Sequence, residues 1–194
     1  MSIDADRFRA IFRDVPTSVA VVTTVDPTGT PHGMTIGSLC ALSLSPPLVL
    51  FCVAHGTGSH ATLCGSARYC LSVLAEDQED LATRFARTPE NRFTGEMSEF
   101  HGLPAAPRAL AWMLCGRHEL VDAGDHTIVI AELHDARVFD RTPMLFWRRR
   151  YSTVAMDSRR SGTRTGDIGR RLSERPMGGD QEVEVVSVKV SSLQ

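Results

Sequence analysis

The sequence of 194 residues predicts a mainly β fold, an antiparallel barrel with a few flanking helices. Short runs of β-branched and apolar residues recur along the chain, and each has the length of a single strand. Turn-forming residues separate these runs, as Asp26–Gly29 does between two of them. Few stretches have the i, i+3, i+4 apolar spacing of a helix, so strands must provide most of the core.

The stretch from residue 33 to 53 combines a small polar segment with a predicted strand. Its end, Leu48–Val53, is apolar and follows two prolines, which predicts a buried strand. Gly37 has no Cβ and would let the backbone approach a flat ligand closely. Thr35 and Ser38 add hydroxyl groups that can donate or accept hydrogen bonds. We therefore expect a ligand to lie against this stretch.

The other predicted elements surround this stretch in the chain. Amphipathic helices are predicted at residues 6–14 and 76–85, and one or two helical turns at residues 59–66. Residues 87–108 are rich in Pro, Gly and polar groups, and a connection of that length is usually a binding loop. The remaining predicted strands, of which the first two form a hairpin, span residues 19–25, 31–36, 69–74, 109–120, 127–138 and 144–147.

A change of composition divides the chain into two predicted parts. Residues 1–157 are predicted to form one folded domain. Residues 158–194 are rich in Arg, Gly and Ser, and we expect them to form a flexible tail. Within the tail, residues 182–190 alternate like a short strand, which could pair with a sheet edge or stay disordered.

Charge and composition argue against several classes of partner. The formal net charge of −2 gives no general attraction to nucleic acid or to anionic lipid. No apolar run approaches the ~20 residues of a membrane-spanning helix. The five cysteines form no C-x-x-C pair, and several lie in apolar runs, so we expect a reduced, cytoplasmic protein. The histidines lack metal-binding spacing, and no metal site is expected.

The segment Gly56–Ala61, GTGSHA, nearly matches the dinucleotide fingerprint, and Glu76 follows at the spacing of its acidic residue. Only about nine residues remain for the crossover helix, however, and the neighbouring segments read as hairpins. We therefore favour a turn that offers backbone N–H groups and the hydroxyls of Ser59 and Thr62 to a phosphate. A glycine-rich surface turn that binds nothing is the alternative.

Two more side chains in predicted loops are candidates for ligand contact. His126 lies at the tip of the hairpin predicted over residues 109–138, where it can donate a hydrogen bond or position a substrate. Arg92 lies in the long connection and could bind a phosphate with two parallel hydrogen bonds. Taken alone, a solvated histidine and a surface arginine remain the alternatives.

Taken together, these segments resemble the flavin reductase family of two-component monooxygenases, whose fold is the FMN-binding split barrel. The resemblance covers about residues 7–152 and implies an antiparallel split β-barrel in the first part of the chain. Eight features match in the family's order: FRAIF; TSVAVVTT with DPTGTPHGMT; SLCALSLSPPLVLFCV; Ser59 with Thr62; YCLSVLAEDQEDLATRFA; Arg92–Phe93; GDHTIVIAEL; and PMLFWRRRY.

The resemblance implies a flavin site and a role for one histidine. The isoalloxazine would lie against residues 35–38, and the phosphate near Ser59, Thr62 and Arg92. His126 would be the catalytic residue, because it would position the nicotinamide against the flavin. The implied cofactor-binding residues are Thr35, Ile36, Gly37, Ser38, Ser43, Leu44, Cys52, Val53, Ser59, Thr62, Arg92, Phe93, His126 and Tyr151.

The activity that the resemblance implies is hydride transfer from NADH or NADPH to FMN or FAD, with release of reduced flavin to a separate oxygenase. A homodimer is also implied. The chain departs from the family at Gly37, where Asn is common, so a flavin carrier or accessory protein without reductase activity is the alternative. A relative that binds heme or pyridoxal phosphate is disfavoured, because no axial ligand is evident and the only lysine is Lys189.

Overall fold

The computed structural model describes residues 2–155, and in this range the prediction of a mainly β, antiparallel fold is confirmed. The α-helices of this range are α1 (Ala5–Arg13), α2 (His60–Gly65) and α3 (Glu79–Arg87). The strands are β1 (Thr17–Ser18), β2 (Ala20–Val25), β3 (Pro31–Ile36), β4 (Cys40–Leu44), β5 (Pro47–Ala54), β6 (Arg68–Val73), β7 (Ser98–Phe100), β8 (Leu103–Ala105), β9 (Ala111–Ala123), β10 (His126–Val138), β11 (Met144–Trp147) and β12 (Arg150–Thr153).

Seven strands form the main sheet, in the order β3-β2-β6-β9-β10-β5-β4, and all of its pairings are antiparallel. Within residues 2–155, β3 and β4 are the two edges of this sheet. Two smaller sheets contain β1-β11-β12 and β7-β8. Because β5 and β6 are not parallel neighbours, the segment Gly56–Ala61 does not open a βαβ unit.

Alternate residues of β2 pack into two different apolar clusters, one on each face of the sheet. On one face Val22 packs with Phe51 and Tyr69, whose rings meet edge to face at 5.4 Å. On the other face Val21 packs with Phe85 of α3. The helix α3 therefore covers the face of the sheet opposite the cluster that contains Phe51 and Tyr69, and it lies beside the edge strand β3.

The second amphipathic helix begins three residues later than residue 76, at Glu79. The residues before it form a turn that the side chain of Gln78 stabilises. The Gln78 Oε1 accepts a hydrogen bond from the Ala75 N–H at 2.9 Å, and its Nε2 donates to the Pro107 carbonyl at 2.6 Å. The second of these contacts joins distant segments, so local spacing could not predict it.

The composition of residues 87–108 predicts one long loop, but the structure divides this segment into shorter elements. A 3-10 turn occupies Pro89–Asn91, and β7 and β8 form a small hairpin. Phe100 and Leu103 of this hairpin are buried with Leu114 in a third apolar cluster. Each strand has only three residues, too few for an alternating pattern to stand out in the sequence.

The last part of the described chain contains a strand that the sequence pattern missed. The basic run of residues 148–150 leads directly into β12, which pairs with β11. The tail predicted at residues 158–194, with its possible strand at 182–190, lies outside the described residues. In residues 2–155 no helix has the length and apolar character needed to cross a membrane.

Candidate cofactor site

The edge strand β3 is held close to its neighbours by a glycine and a threonine. A Cβ on Gly33 would lie 2.6 Å from the Val22 carbonyl oxygen, so only glycine fits this position without movement of the backbone. Thr35 Oγ1 donates a hydrogen bond to the Ala82 carbonyl at 2.7 Å and so ties β3 to α3. The lone pairs of this hydroxyl remain able to accept a hydrogen bond from a ligand.

A cavity of about 200 Å³ lies at the end of β3 and brings four of the predicted site residues together. Gly37 is exposed there, and a Cβ on it would lie 3.0 Å from Thr17 Oγ1. The residues that line this cavity are Val19, Thr35, Ile36, Gly37, Ala86, Phe146 and Tyr151.

Ser38 connects the β3 edge to strand β5. Its Oγ accepts a hydrogen bond from the Cys52 N–H at 2.9 Å. The Cys52 side chain lies on the outer, half-buried face of β5, whereas the Val53 side chain is fully buried in the core. Val53 can therefore meet a ligand through its backbone only. Burial alternates along β5, so the strand predicted to be buried is buried on one face.

Two predicted residues lie away from the cavity on the edge strand β4. Ser43 pairs with Leu48, and Leu44 pairs with Pro47. The Leu44 side chain is 77% exposed, and neither Ser43 nor Leu44 lines the cavity. The structure therefore places these two residues on an outer rim of the sheet.

Ser59 and Arg92 form a polar contact between segments 33 residues apart in the chain. Arg92 Nη1 donates to Ser59 Oγ at 2.6 Å, and Ser59 Oγ lies 3.4 Å from the Gly33 carbonyl oxygen. Burial lowers the pKa of the Arg92 guanidinium, and its Nε is buried with no partner among the described residues. Phe93 packs edge to face on Phe85 at 5.1 Å and fixes the segment.

The contact between Ser59 and Arg92 has the chemistry of an anion site. The Arg92 guanidinium can donate to a phosphate, and its orphaned Nε supplies one more N–H. The Ser59 hydroxyl is buried and directed at the Gly33 carbonyl, so it would have to exchange that long hydrogen bond for one to the phosphate. The third residue predicted for this site, Thr62, is half-buried on α2 and lines a separate cleft of about 540 Å³ with Asp26.

His126 is the first residue of β10 and pairs with Ala54 of β5. Its side chain lies on the same sheet face as that of Cys52, which is two residues from Ala54 along β5. Its Nδ1 lies 2.7 Å from Asp125 Oδ1, which orients the ring, and this hydrogen bond lowers the pKa of Asp125. The His126 side chain is 43% exposed, so part of the ring is accessible to a substrate.

Sequence reasoning missed a small cluster of side chains around the start of β10. His60 Nε2 lies 2.9 Å from Thr127 Oγ1 and 3.5 Å from Cys64 Sγ. His55 packs edge to face on His60 at 5.1 Å, and burial raises the pKa of the Cys64 thiol. Among residues 2–155, no three His, Cys, Asp or Glu side chains are placed to hold a metal ion. The i, i+4 spacing of His60 and Cys64 on α2 was the only available signal.

A comparison with known proteins matches this chain to a family and to curated relatives. Residues 12–155 match the model of the flavin reductase like domain. A flavin reductase from Pseudomonas putida is 34% identical over 157 residues, which cover 79% of this chain and 92% of the relative. The reductase subunit HsaB of a flavin-dependent monooxygenase from Rhodococcus jostii is 34% identical over 159 residues, 80% of this chain and 81% of the relative.

A solved structure agrees with the sequence comparisons. The NADH:FAD oxidoreductase SgcE6 of Streptomyces globisporus, in complex with NAD and FAD fragments, superposes with a TM-score of 0.75 and 35% identity. The match covers 81% of this chain and 99% of that structure. The resemblance deduced from the sequence is thereby confirmed: the chain belongs to the flavin reductase family, and the match includes the cavity, the Ser59–Arg92 contact and His126.

Proposed function

We propose that this chain is the reductase component of a two-component flavin-dependent monooxygenase. It transfers a hydride from NADH or NADPH to FMN or FAD and releases the reduced flavin to a separate oxygenase. The observation that carries this proposal is the hydrogen bond from the Cys52 N–H to Ser38 Oγ, which ties the residue after Gly37 to strand β5, the neighbour of the strand that begins with His126. This bond and the pairing of β5 with β10 support a site in which the proposed flavin contacts and the proposed nicotinamide-positioning histidine are connected through strand β5.

The residues present fit a flavin. Gly37, which is exposed, and Thr35 line the cavity, where a ring system can lie against them. The buried, unpartnered Nε of Arg92 and the Ser59 hydroxyl fit a phosphate at the other end of β3. Bound flavin supplies the acceptor for the hydride, so this chain needs to bind, orient and exclude water rather than transfer a proton.

His126 is proposed to act by positioning. The hydrogen bond from its ring to Asp125 fixes the orientation of the imidazole and leaves Nε2 for the nicotinamide side of the site. Correct placement of two reacting rings is itself a large part of such catalysis. No acid–base pair is required for hydride transfer between the two cofactors.

The activity is tested by following the absorbance of NADH and NADPH separately, each with FMN, FAD, riboflavin or no flavin. Flavin-dependent loss of reduced nicotinamide supports the reductase and gives both cofactor preferences. Flavin binding without oxidation of either nicotinamide would instead support a carrier or accessory protein. That second candidate is favoured by Gly37, which lacks the amide side chain that the family commonly places there.

A homodimer is proposed on the basis of the outer sheet face. Strands β5 and β10 keep a row of apolar side chains only half-buried there, and on the neighbouring strand β4 Leu42 and Leu44 are 46% and 77% exposed. A second copy would remove this row from water. Light scattering should give twice the chain mass, and a monomer with full reductase activity would contradict the proposal. The half-buried members of the row are Leu50, Cys52, Ile128 and Ile130.

The cytoplasm is proposed as the compartment. All five cysteines are free, including the buried Cys70 and Cys115, as expected for a chain kept under reducing conditions. We also propose that residues 1–157 form the flavin reductase-like domain and that residues 158–194 are an appendage to it.

A further inference from the structure

A groove of about 990 Å³ between α3 and the β11–β12 turn carries four arginines. Two acidic residues at the start of α3, Glu79 and Asp80, also line it, so cations predominate. We call it the arginine groove, after Arg84, Arg87, Arg149 and Arg150.

Within residues 2–155 the cations of the arginine groove have no anionic partner, and the only ring that faces one of them is Phe85, whose centroid lies 6.0 Å from Arg84 Cζ. None of the four guanidinium groups forms an ion pair or a side-chain hydrogen bond there, whereas the adjacent Arg148 binds Asp14 at 2.5 Å. The Nε of Arg84 is buried and has no acceptor among the described residues. Planar guanidinium groups bind phosphate oxygens with paired hydrogen bonds, so an anionic phosphate ester would satisfy this set.

The arginine groove is continuous with the cavity at Gly37. Phe146 and Tyr151 line both, and their ring centroids lie 5.3 Å apart. Aromatic rings next to arginines suit a purine base that carries phosphates. The groove also has the size of a site for a ligand of that kind, about 300–1,000 Å³.

The Ser59–Arg92 contact and the arginine groove are too far apart to bind the same phosphate group. The first lies at Gly33, while the groove joins the cavity at Gly37, four residues further along the edge. Extended backbone spans about 13 Å over that distance, too far for one phosphate group to contact both sets of donors. A ligand that contacts both sets of donors at once must therefore carry a second phosphorylated part.

We propose that the arginine groove binds the adenosine diphosphate part of a dinucleotide. This inference rests on the proposed function, in which two such molecules, NAD(P)H and FAD, are candidates. Both carry the same adenosine diphosphate chemistry, and the experiment distinguishes them. FMN and riboflavin lack this part and do not use the groove.

The test uses the full chain with Arg87→Gln and Arg150→Gln combined, because both side chains are exposed and their loss leaves the core intact. The matched control is Arg7→Gln on α1, an exposed arginine outside the groove. Calorimetric titration with ADP should give an affinity about tenfold or more lower for the double variant than for the wild type and the control. The FMN affinity should stay the same in all three proteins.

Two further measurements identify the dinucleotide. A raised KM for NADH or NADPH with unchanged FAD affinity assigns the groove to the nicotinamide substrate, and lower FAD affinity with unchanged KM assigns it to the flavin. ADP that does not bind the wild type at millimolar concentration, or binds the folded double variant equally well, would overturn the inference. A chain that oxidises no nicotinamide but binds ADP through these arginines would contradict the proposed function and leave the groove in place.

Discussion

The two basic regions along the β3 edge differ in how their arginines are held. At one end Arg92 is half-buried, donates to Ser59 and follows a segment fixed by aromatic packing. At the other end the arginine groove contains cations without ion pairs or side-chain hydrogen bonds among the described residues, three of them exposed. A preorganised donor loses little freedom on binding, whereas exposed long side chains must be ordered by the ligand. We therefore expect the first region to contribute more affinity per residue than the second.

Arg92→Ala should have the largest effect. It removes the charge and the orphaned Nε–H that the flavin phosphate is proposed to use. Loss of a hydrogen bond to a charged group lowers affinity by roughly 10- to 100-fold. Fluorescence titration with FMN measures it, and Arg92→Lys should give an intermediate value because the charge remains while the paired N–H groups are lost.

Riboflavin is the control for this first prediction, since it carries no phosphate. Its affinity should change little in Arg92→Ala. An equal loss of affinity for FMN and riboflavin in a variant with unchanged melting temperature would mean that Arg92 does not bind the flavin phosphate.

His126→Ala should have the next largest effect. Loss of a positioning group should lower kcat/KM for the reduced nicotinamide by about tenfold and leave the flavin affinity as it is. Steady-state kinetics and a flavin titration on the same preparation measure the two quantities. His126→Gln keeps a hydrogen-bond donor near the same place and should recover part of the loss. Equal loss of flavin binding would contradict the positioning role.

Gly37→Asn should have a smaller effect of opposite sign. The added amide can contact the flavin, and we expect the affinity to rise a few-fold, in the range of one neutral hydrogen bond. The new Cβ lies 3.0 Å from Thr17 Oγ1, so the melting temperature should fall slightly. Gly37→Ala has the same Cβ without the amide and should show the lower melting temperature alone. A weaker flavin affinity in Gly37→Asn than in Gly37→Ala would contradict this account.

Deletion of residues 158–194 should have the smallest effect. If these residues are an appendage, the shortened chain should keep the melting temperature and the flavin-dependent oxidation of nicotinamide. Thermal unfolding followed by circular dichroism and the kinetic assay measure these two properties. A shortened chain that does not fold would show that the tail completes the domain.

The parts of the fold that were predicted correctly depend on local patterns. For example, the sequence predicts a hairpin from the β-branched run of residues 19–25, the turn at Asp26 and the strand that follows. The structure pairs β2 with β3 at this position. The start of α3 and the small hairpin of β7 and β8 were not predicted, because they depend on contacts such as Gln78 with Pro107. Tertiary contacts of this kind override local propensity.

The candidate site was predictable only in part for the same reason. The resemblance named Ser59 and Arg92, but their direct contact joins residues far apart in the chain. The arginine groove is formed by residues of α3, β11 and β12. The sequence indicates only a basic run at the start of β12 and does not predict that strand. Single residues carried enough signal to be named, whereas their grouping required the three-dimensional structure.

The most direct test of hydride transfer is an anaerobic stopped-flow experiment that follows the absorbance of bound oxidised flavin after mixing with reduced nicotinamide, either unlabelled or deuterated at C4. If this chain transfers a hydride to flavin, the flavin absorbance is lost, deuterium slows this loss, and His126→Ala slows it further at equal flavin occupancy. Flavin that stays oxidised while fully bound would contradict hydride transfer and identify the chain as a flavin carrier.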